Sequence, residues 1–505
     1  MMDPLSRRSS PPQSLGDWTA SVRAMLAGGG RLAGLLGTGV VDGCELTALV
    51  AVADRIEMLR TLVRPDPDGV MRYDSLSRDI PAAFWYERAL HDLSGVVPVG
   101  HPRLDPLLLA RSGTSPPPRP GSDVGHDGAP VFAEHLGSVD VVGEGMFTLP
   151  LGPVRSGVME SIEFLVETPG EDIPYLNIRP HYKHRGIAKQ FENRAVDDAV
   201  LVAERVEGIS SVAHALAFSH AIEDLCNLDV TAEHQLLRVA LAELERIANH
   251  LDVTMRLADA AGLAVATSRF GWHKERVLRL QGDLTGSRFG RGVIAPGGST
   301  RRVEVRAPSQ IEELKTLDQQ VGSDIAALER SASFLDRLRT TGPLAHELAR
   351  THGALGPIGR ASGVDNDVRR ERPYDGYPRV TTIPPPLAGA GDALARARVR
   401  WHEVHSSTRA AVEALTALGS RVVDATPRLT AGAIRDGIST GSAESAQGEV
   451  LYLVEMQDGR VRRCFARSAS FHNLVLFHDV FAGDIFTDFP FIEASFGLGY
   501  AGVAM

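Results

Sequence analysis

Cysteine is scarce in this sequence. Three occur in 505 residues, Cys44, Cys226 and Cys464, far apart and never as a CxxC pair. That spacing argues against a disulfide framework and points to a reducing compartment. It also excludes a four-cysteine metal site. No run of about 18 apolar residues occurs, so no transmembrane helix is expected. Long basic runs are missing too, and the formal net charge is -10, which argues against nucleic acid as a partner. No Gly-x-Gly-x-x-Gly follows a strand, so a nucleotide-binding glycine loop is not supported. Residues 1–14 are polar and lack the apolar core of a signal peptide, so they read as a disordered N-terminus.

What is present is an ordinary globular composition, 43% hydrophobic and 23% charged, in a chain long enough for more than one domain. Residues 15–111 read as a small α/β unit. Apolar helical sequence is expected around Val22 to Leu36, and Pro81 to Leu93 reads as an amphipathic helix stopped by Gly95. Residues 112–130 are rich in Pro, Gly and Ser and read as a semi-rigid linker. Residues 131–505 form a second unit, mainly long helices with β decoration, giving an α+β chain overall. Thr231 to Leu257 carries the clearest apolar stripe, Leu237, Leu241, Leu244, Ala248, Leu251 and Met255. Further helices are expected at about 270–284, 308–339 and 388–419.

Several polar residues stand out. Glu207 and Ser210 are three apart around Gly208, so a helical turn would point them the same way, as a polar ligand site or a solvated edge. Glu160 would lie on the apolar side of an alternating strand, either functional or reaching water at an edge. His181 and His184 have i, i+3 spacing, but Lys183 and Arg185 argue against a cation there. That cluster fits carboxylates, an anionic or quinone-like head group, or a helix cap. Glu243, Arg246 and His250 read as a polar face or a buried ion pair.

The stretch Glu204-Arg205-Val206-Glu207-Gly208-Ile209-Ser210-Ser211-Val212-Ala213-His214 resembles the first metal motif of NiFe-hydrogenase large subunits, Glu-Arg-Val-Cys-Gly-Ile-Cys-Ser-Val-Ala-His. Other blocks follow in that family's order: His181 to Ile187, Leu241 to Leu251, Leu284-Thr285-Gly286, Pro296-Gly297-Gly298, Gly356 to Gly363, Asp367-Val368-Arg369 and Pro373-Tyr374. Trp85-Tyr86-Glu87-Arg88, His91-Asp92-Leu93 and Gly100 to Leu104 resemble the C-type subunit of respiratory complex I. The order, C-like then D-like in one chain, is similar to the large subunit of formate hydrogenlyase and to the fused C-type and D-type subunits of NADH-quinone oxidoreductase. The resemblance implies a docking domain followed by a domain of the hydrogenase large-subunit type.

Against that family the ligands differ. Glu207 and Ser210 stand at the first two thiolate positions, and Gly499 and Gly502 at the second pair, after Asp488 to Ser495. Soft thiolates suit such a redox centre, and these residues do not replace them. Glu444-Ser445-Ala446-Gln447-Gly448 resembles the family's Glu-Ala-Pro-Arg-Gly, with Gln447 for the arginine over the metal. Glu160 matches an acidic residue that binds magnesium in some relatives, while Ser161-Ile162-Glu163 depart from that motif. Complex I uses the vacated space for quinone, and Arg155 falls near its quinone-contacting histidine. The resemblance therefore implies an oxidoreductase component without a nickel–iron centre. Electrons would arrive from a partner iron–sulfur subunit, and membrane-arm subunits would hold the assembly peripherally on the cytoplasmic membrane face. A quinone-like acceptor would meet Arg155, His184, Ser210, Glu444 and Gln447, with Glu207 or His214 supplying protons. A non-catalytic scaffold is the second expectation, and an active NiFe hydrogenase the third.

Overall fold

The computed structural model describes residues 11–109, 143, 145–155, 160–381 and 389–505. The expected linker 112–130 and most of the expected disordered N-terminus lie outside these residues. The first unit is a three-stranded antiparallel sheet, Arg31–Val40, Gly43–Val52 and Arg55–Val63, flanked by helices Leu15–Ala27 and Phe84–Ser94. The helix expected across Val22 to Leu36 ends at Ala27 instead. Gly28-Gly29-Gly30 stop it: Gly29 takes φ +91° and the Gly30 amide turns back to the Met25 carbonyl at 2.9 Å. Such a backbone suits glycine, and the chain leaves it as a strand.

The Trp85-Tyr86-Glu87-Arg88 block is explained by packing. Glu87 is fully buried and accepts hydrogen bonds from the Tyr73 and Ser75 hydroxyls at 2.8 and 2.6 Å and from the Leu76 amide at 2.7 Å. Asp92 accepts from the amides of Leu107 and Leu108 at 2.8 and 2.7 Å. Both carboxylates fold the chain around the helix that carries them, which is what a buried charge requires.

The second unit centres on three long helices. Ala232–Ala260 packs against both Ala264–Thr285 and Ala393–Leu418. Its apolar stripe is buried as expected, with Met255 at the margin. Thr231 caps it, accepting from the His234 amide, and Asp392 caps Ala393–Leu418 through the Ala395 amide at 2.8 Å. These are favourable N-cap residues. The single helix expected over 308–339 is two, Ala307–Leu328 and Ala332–Leu338, and the helix expected from Phe270 begins at Ala264.

Two antiparallel sheets complete this unit: Gly437–Ser445, Gly448–Gln457 and Arg460–Arg467 share the bundle's core, and Phe147–Leu151, Glu163–Thr168 and Tyr175–Arg179 pack in the core that joins the two units. Glu160 is not on a strand; it precedes Glu163–Thr168. Its expected place on a strand face is corrected accordingly. The two units share one apolar core. Trp18, Trp85 and Tyr86 from the first unit and Phe471, Phe477 and Val503 from the second belong to the same buried cluster.

One charge fastens this joint. Glu449, 1% exposed, is paired with Arg31 of the first sheet and with Arg372 and Arg467 of the second unit. The three guanidiniums hold its carboxyl well below the usual range. Glu449→Gln leaves three guanidiniums without their counter-charge. The expected cost is about 3–5 kcal/mol, read as a lower urea midpoint at unchanged m-value. Because the folded pKa is depressed, the native contribution is full above the unfolded carboxylate's pKa of about 4.3. It fades as the pH falls below that value.

Candidate functional site

The Glu204–His214 stretch makes a turn that leads into helix Ser211–Cys226. Glu204 is structural: its carboxylate accepts the Gly292 amide at 2.6 Å. Glu207 and Ser210 do not point the same way to one ligand. Ser210 donates to Gln447 Oε1 at 2.9 Å. Glu207 turns toward the chain end, where Ser470 Oγ donates to its Oε1. Ser470 Oγ also accepts the Gly499 amide at 3.0 Å. All of these side chains are buried.

The two glycines of the second motif lie against Glu207. A Cβ on Gly499 would stand 2.5 Å from Glu207 Oε1, and one on Gly502 would stand 2.7 Å from the same atom. The carboxylate thus fills the volume that side chains at 499 and 502 would need. Of the four positions matched to thiolates, Glu207, Gly499 and Gly502 meet in one packed contact, while Ser210 turns to Gln447.

Behind Glu207 lies His214, fully buried. Its Nε2 is 3.5 Å from Glu207 Oε2, near enough for charge attraction and too far for a hydrogen bond of proper geometry. Neither atom has a hydrogen-bond partner among the described residues. His214 Nδ1 shares a hydrogen bond with the Tyr452 hydroxyl at 2.8 Å. The result is a buried line, Ser470–Glu207–His214–Tyr452, between the final segment and strand Gly448–Gln457.

Arg155 and His184 are not gathered with Glu207, which corrects the expected single pocket. Arg155 is paired to Glu493, with Nη1 at 3.1 Å, and its guanidinium lies 5.2 Å from the centre of the Phe164 ring. Tyr500 donates to the same Glu493. His184 hydrogen-bonds the Ala504 carbonyl through Nδ1 at 2.6 Å. It lines a separate, mostly apolar cavity of about 100 Å³ between the units, with Leu35, Leu90, Cys464 and Phe465. Burial lowers its pKa. Glu160 accepts the Ala501 amide at 2.8 Å, and burial, with Glu207 nearby, raises its pKa.

Glu444 belongs to a buried ionic network beside the site. Arg360 reaches Glu444, Asp367 and Glu403 at 3.3, 3.5 and 2.6 Å, and Arg369 reaches Glu243 at 3.0 Å. His250 meets Glu403 at 2.8 Å. Burial and the neighbouring Asp367 push Glu444 up to about 7. Arg246 donates to the carbonyls of Ser445 and Glu444 at 2.6 and 2.7 Å and so holds the turn that presents Gln447 to Ser210. The turn passes so close to Gly356 that a Cβ there would meet the Gln447 carbonyl at 2.2 Å.

Three contributors were not singled out from sequence: Tyr452, Ser470 and Glu245. Tyr452 and Ser470 carry no local signal, since their partners are distant in the chain. Glu245 sits two residues after Glu243 on a helix buried around its whole circumference, which was a usable cue. It accepts the Val212 and Ala213 amides at 2.7 and 3.1 Å, the anion-favouring start of helix Ser211–Cys226. Burial outweighs this and pushes its pKa up to about 8. Glu245, Asn249 and Gly208 line a cavity of about 110 Å³ on the outer side of the motif. Among the described residues no group of three or more His, Cys, Asp and Glu side chains is arranged to hold a metal ion.

Known proteins resemble this chain. Residues 264–433 match the family model of the respiratory-chain NADH dehydrogenase 49 Kd subunit, and residues 34–124 that of its 30 Kd subunit. The D-type subunit of NADH-quinone oxidoreductase from Syntrophobacter fumaroxidans is 30% identical over 354 residues, 69% of this chain and 93% of the relative. The chain belongs to the D-type (49 Kd) subunit family of NADH-quinone oxidoreductases. It is also similar to formate hydrogenlyase subunit 5 of Escherichia coli, 26% identical over 433 residues, covering 84% of this chain and 75% of the relative. A solved chain from the membrane-bound sulfane sulfur reductase, an archaeal respiratory membrane complex, shares the fold. It has a TM-score of 0.66 at 21% identity and covers 73% of this chain and all of that one. Among the described residues of this family member, no helix is long and apolar enough to cross a membrane.

Two measurements test the site. Gly499→Ala drives a methyl into the Glu207 carboxylate and is expected to cost about 1–3 kcal/mol. In a Glu207→Ala background that cost should nearly vanish, a non-additivity that denaturation of the four proteins reads directly. For Glu245 the folded pKa lies above the unfolded one. Its contribution to stability is full below about pH 4 and is lost as the pH rises toward 8, with a slope of up to about 1.4 kcal/mol per pH unit. Glu245→Gln should remove that part of the pH dependence.

Proposed function

We propose that the chain is the large subunit of a complex-I-like, hydrogenase-related oxidoreductase assembly, in which the position of the metal has become a proton-holding pair. Electrons come from a partner iron–sulfur subunit, and a quinone-like acceptor receives them. The residues at the former ligand positions do not fit a nickel–iron centre: two glycines offer no donor, and a carboxylate and a hydroxyl replace soft thiolates. The carrying observation is the buried Glu207–His214 pair, with an unbonded oxygen and an unbonded nitrogen 3.5 Å apart. Two such atoms facing each other in a buried place call for a proton carried on one of them, directed at the other. Ser470 fixes the carboxylate and Tyr452 fixes the imidazole, so the proton would be held at Glu207 Oε2 or His214 Nε2. Association with the membrane would run through partner subunits on its cytoplasmic face.

One observation favours the second reading, a scaffold that couples redox partners to a membrane arm. Glu207 fills the space beside Gly499 and Gly502, leaving little room there for an acceptor. The assembled complex carrying Glu207→Gln separates the two. The catalytic reading expects electron flux to a soluble quinone to fall by at least about tenfold, the low end of a general acid–base contribution, with assembly intact. Unchanged flux in the intact variant complex would establish the scaffold.

A further inference from the structure

The cavity bordered by His184 is a second candidate site, apart from Glu207. It lies at the joint of the two units and has a volume of about 100 Å³. An apolar cavity of roughly 150 Å³ takes up benzene, so this one suits a short hydrocarbon chain. The first unit supplies Leu35, Leu90 and Leu93 to its lining, and the second supplies Ile187, Phe465 and Phe471. Such a space in a close-packed interior forfeits the contacts that a filling group would give.

The charged groups around it are of one sign. Among the described residues no Asp or Glu side chain lines the cavity, whereas Lys189, Arg463 and Arg467 do. Arg467 is committed to Glu449, and Lys189 pairs with Glu192 at 2.9 Å. Arg463 is held differently. Its guanidinium makes no hydrogen bond among the described residues, and the one carboxylate in reach, Glu192, is 3.7 Å away. The side chain is 12% exposed, so it is open to a small partner. A cation this nearly enclosed is best matched by an anion with hydrogen-bonding geometry.

The position of that guanidinium is set by the first sheet. A Cβ on Gly39 would stand 4.0 Å from Arg463 Nη2, which places the head at the end of strand Arg31–Val40 that also brings Thr38 to the cavity. The other titratable lining groups add no charge. Burial lowers the pKa of His184, and burial raises that of the Cys464 thiol, so both are neutral.

We propose that this cavity binds a small amphiphilic carboxylate, with its hydrocarbon chain among the leucines and phenylalanines and its carboxylate on the Arg463 guanidinium. A guanidinium fork matches a carboxylate with two parallel hydrogen bonds, and the chain gains apolar burial. A bare inorganic anion fits less well, because the space it would leave beside Arg463 is apolar. The bound molecule touches both units at once, so it braces the joint that Glu449 fastens.

The test uses the full chain and hexanoate as the probe, with titration calorimetry and thermal melting as readouts. Methyl hexanoate keeps the chain and loses the charge, while acetate keeps the charge and loses the chain. The expected result is hexanoate binding at millimolar concentration or below and a raised melting temperature. Affinity is expected to be at least about tenfold lower for methyl hexanoate and for Arg463→Gln, the loss of a hydrogen bond to a charged group. Acetate is expected to bind at least about tenfold more weakly as well, for want of the buried methylenes. Should Arg463→Gln fail to fold, Ala188→Leu narrows the cavity and leaves Arg463 in place, and the same drop in hexanoate affinity is expected. No hexanoate binding at millimolar concentration overturns the proposal. Equal binding of hexanoate and its methyl ester also overturns it, as does equal binding of hexanoate to the natural chain and to either variant.

Discussion

A single buried carboxylate ties the architecture together. Glu449 follows directly on the turn that presents Gln447, and it answers three guanidiniums that come from different parts of the chain. Arg31 brings the first sheet. Arg372 brings the segment after Asp367-Val368-Arg369. Arg467 closes the hairpin on itself and also donates to the Ala33 carbonyl at 3.0 Å. The position of Gln447, and through it Ser210, is therefore set by the same charge that joins the two units. An isolated acid in this interior would be costly. Surrounded by three cations it becomes a fixed point with directional bonds.

Around that point the protein carries an unusual load of buried charge. Arg238, Arg246, Arg360, Arg369, Arg396, Arg400 and Arg467 are all nearly inaccessible. Several spend their donors on main-chain carbonyls and not only on acids: Arg246 holds the turn at Ser445, Arg396 reaches the Gly342 and Gly391 carbonyls at 2.8 and 2.6 Å, and Arg400 reaches the Phe496 carbonyl at 2.7 Å. A guanidinium presents five donors in a fixed fork. It can pin two loop segments at once where an apolar side chain would leave carbonyls unpaired. These arginines thus order irregular backbone around the helical bundle.

Much of this was legible in the residues. The apolar stripe of helix Ala232–Ala260, the Pro81 helix start and the alternating strand Glu163–Thr168 follow from periodicity and from capping, while the sheet at Gly437–Ser445, Gly448–Gln457 and Arg460–Arg467 was not anticipated. The meeting of Glu207 with Gly499 and Gly502 could be anticipated only through resemblance, because no local rule relates residue 207 to residue 499. Side-chain direction was the blind spot. Arg155 and His184 were expected beside Glu207, but each finds a nearer partner in the final segment, Glu493 and the Ala504 carbonyl. These contacts span 338 and 320 residues.

That final segment has an implication for how the molecule is made. Gly502, Val503 and Ala504 are buried, and they complete the walls around Glu207, Glu160 and His184. During synthesis those earlier residues leave the ribosome hundreds of positions ahead of the segment that covers them, at a pace of roughly 5–20 residues per second. Until residues 499–504 are packed, Glu207 lacks the backbone wall that Gly499 and Gly502 supply, so placing them is a long-range step that takes a carboxylate out of water.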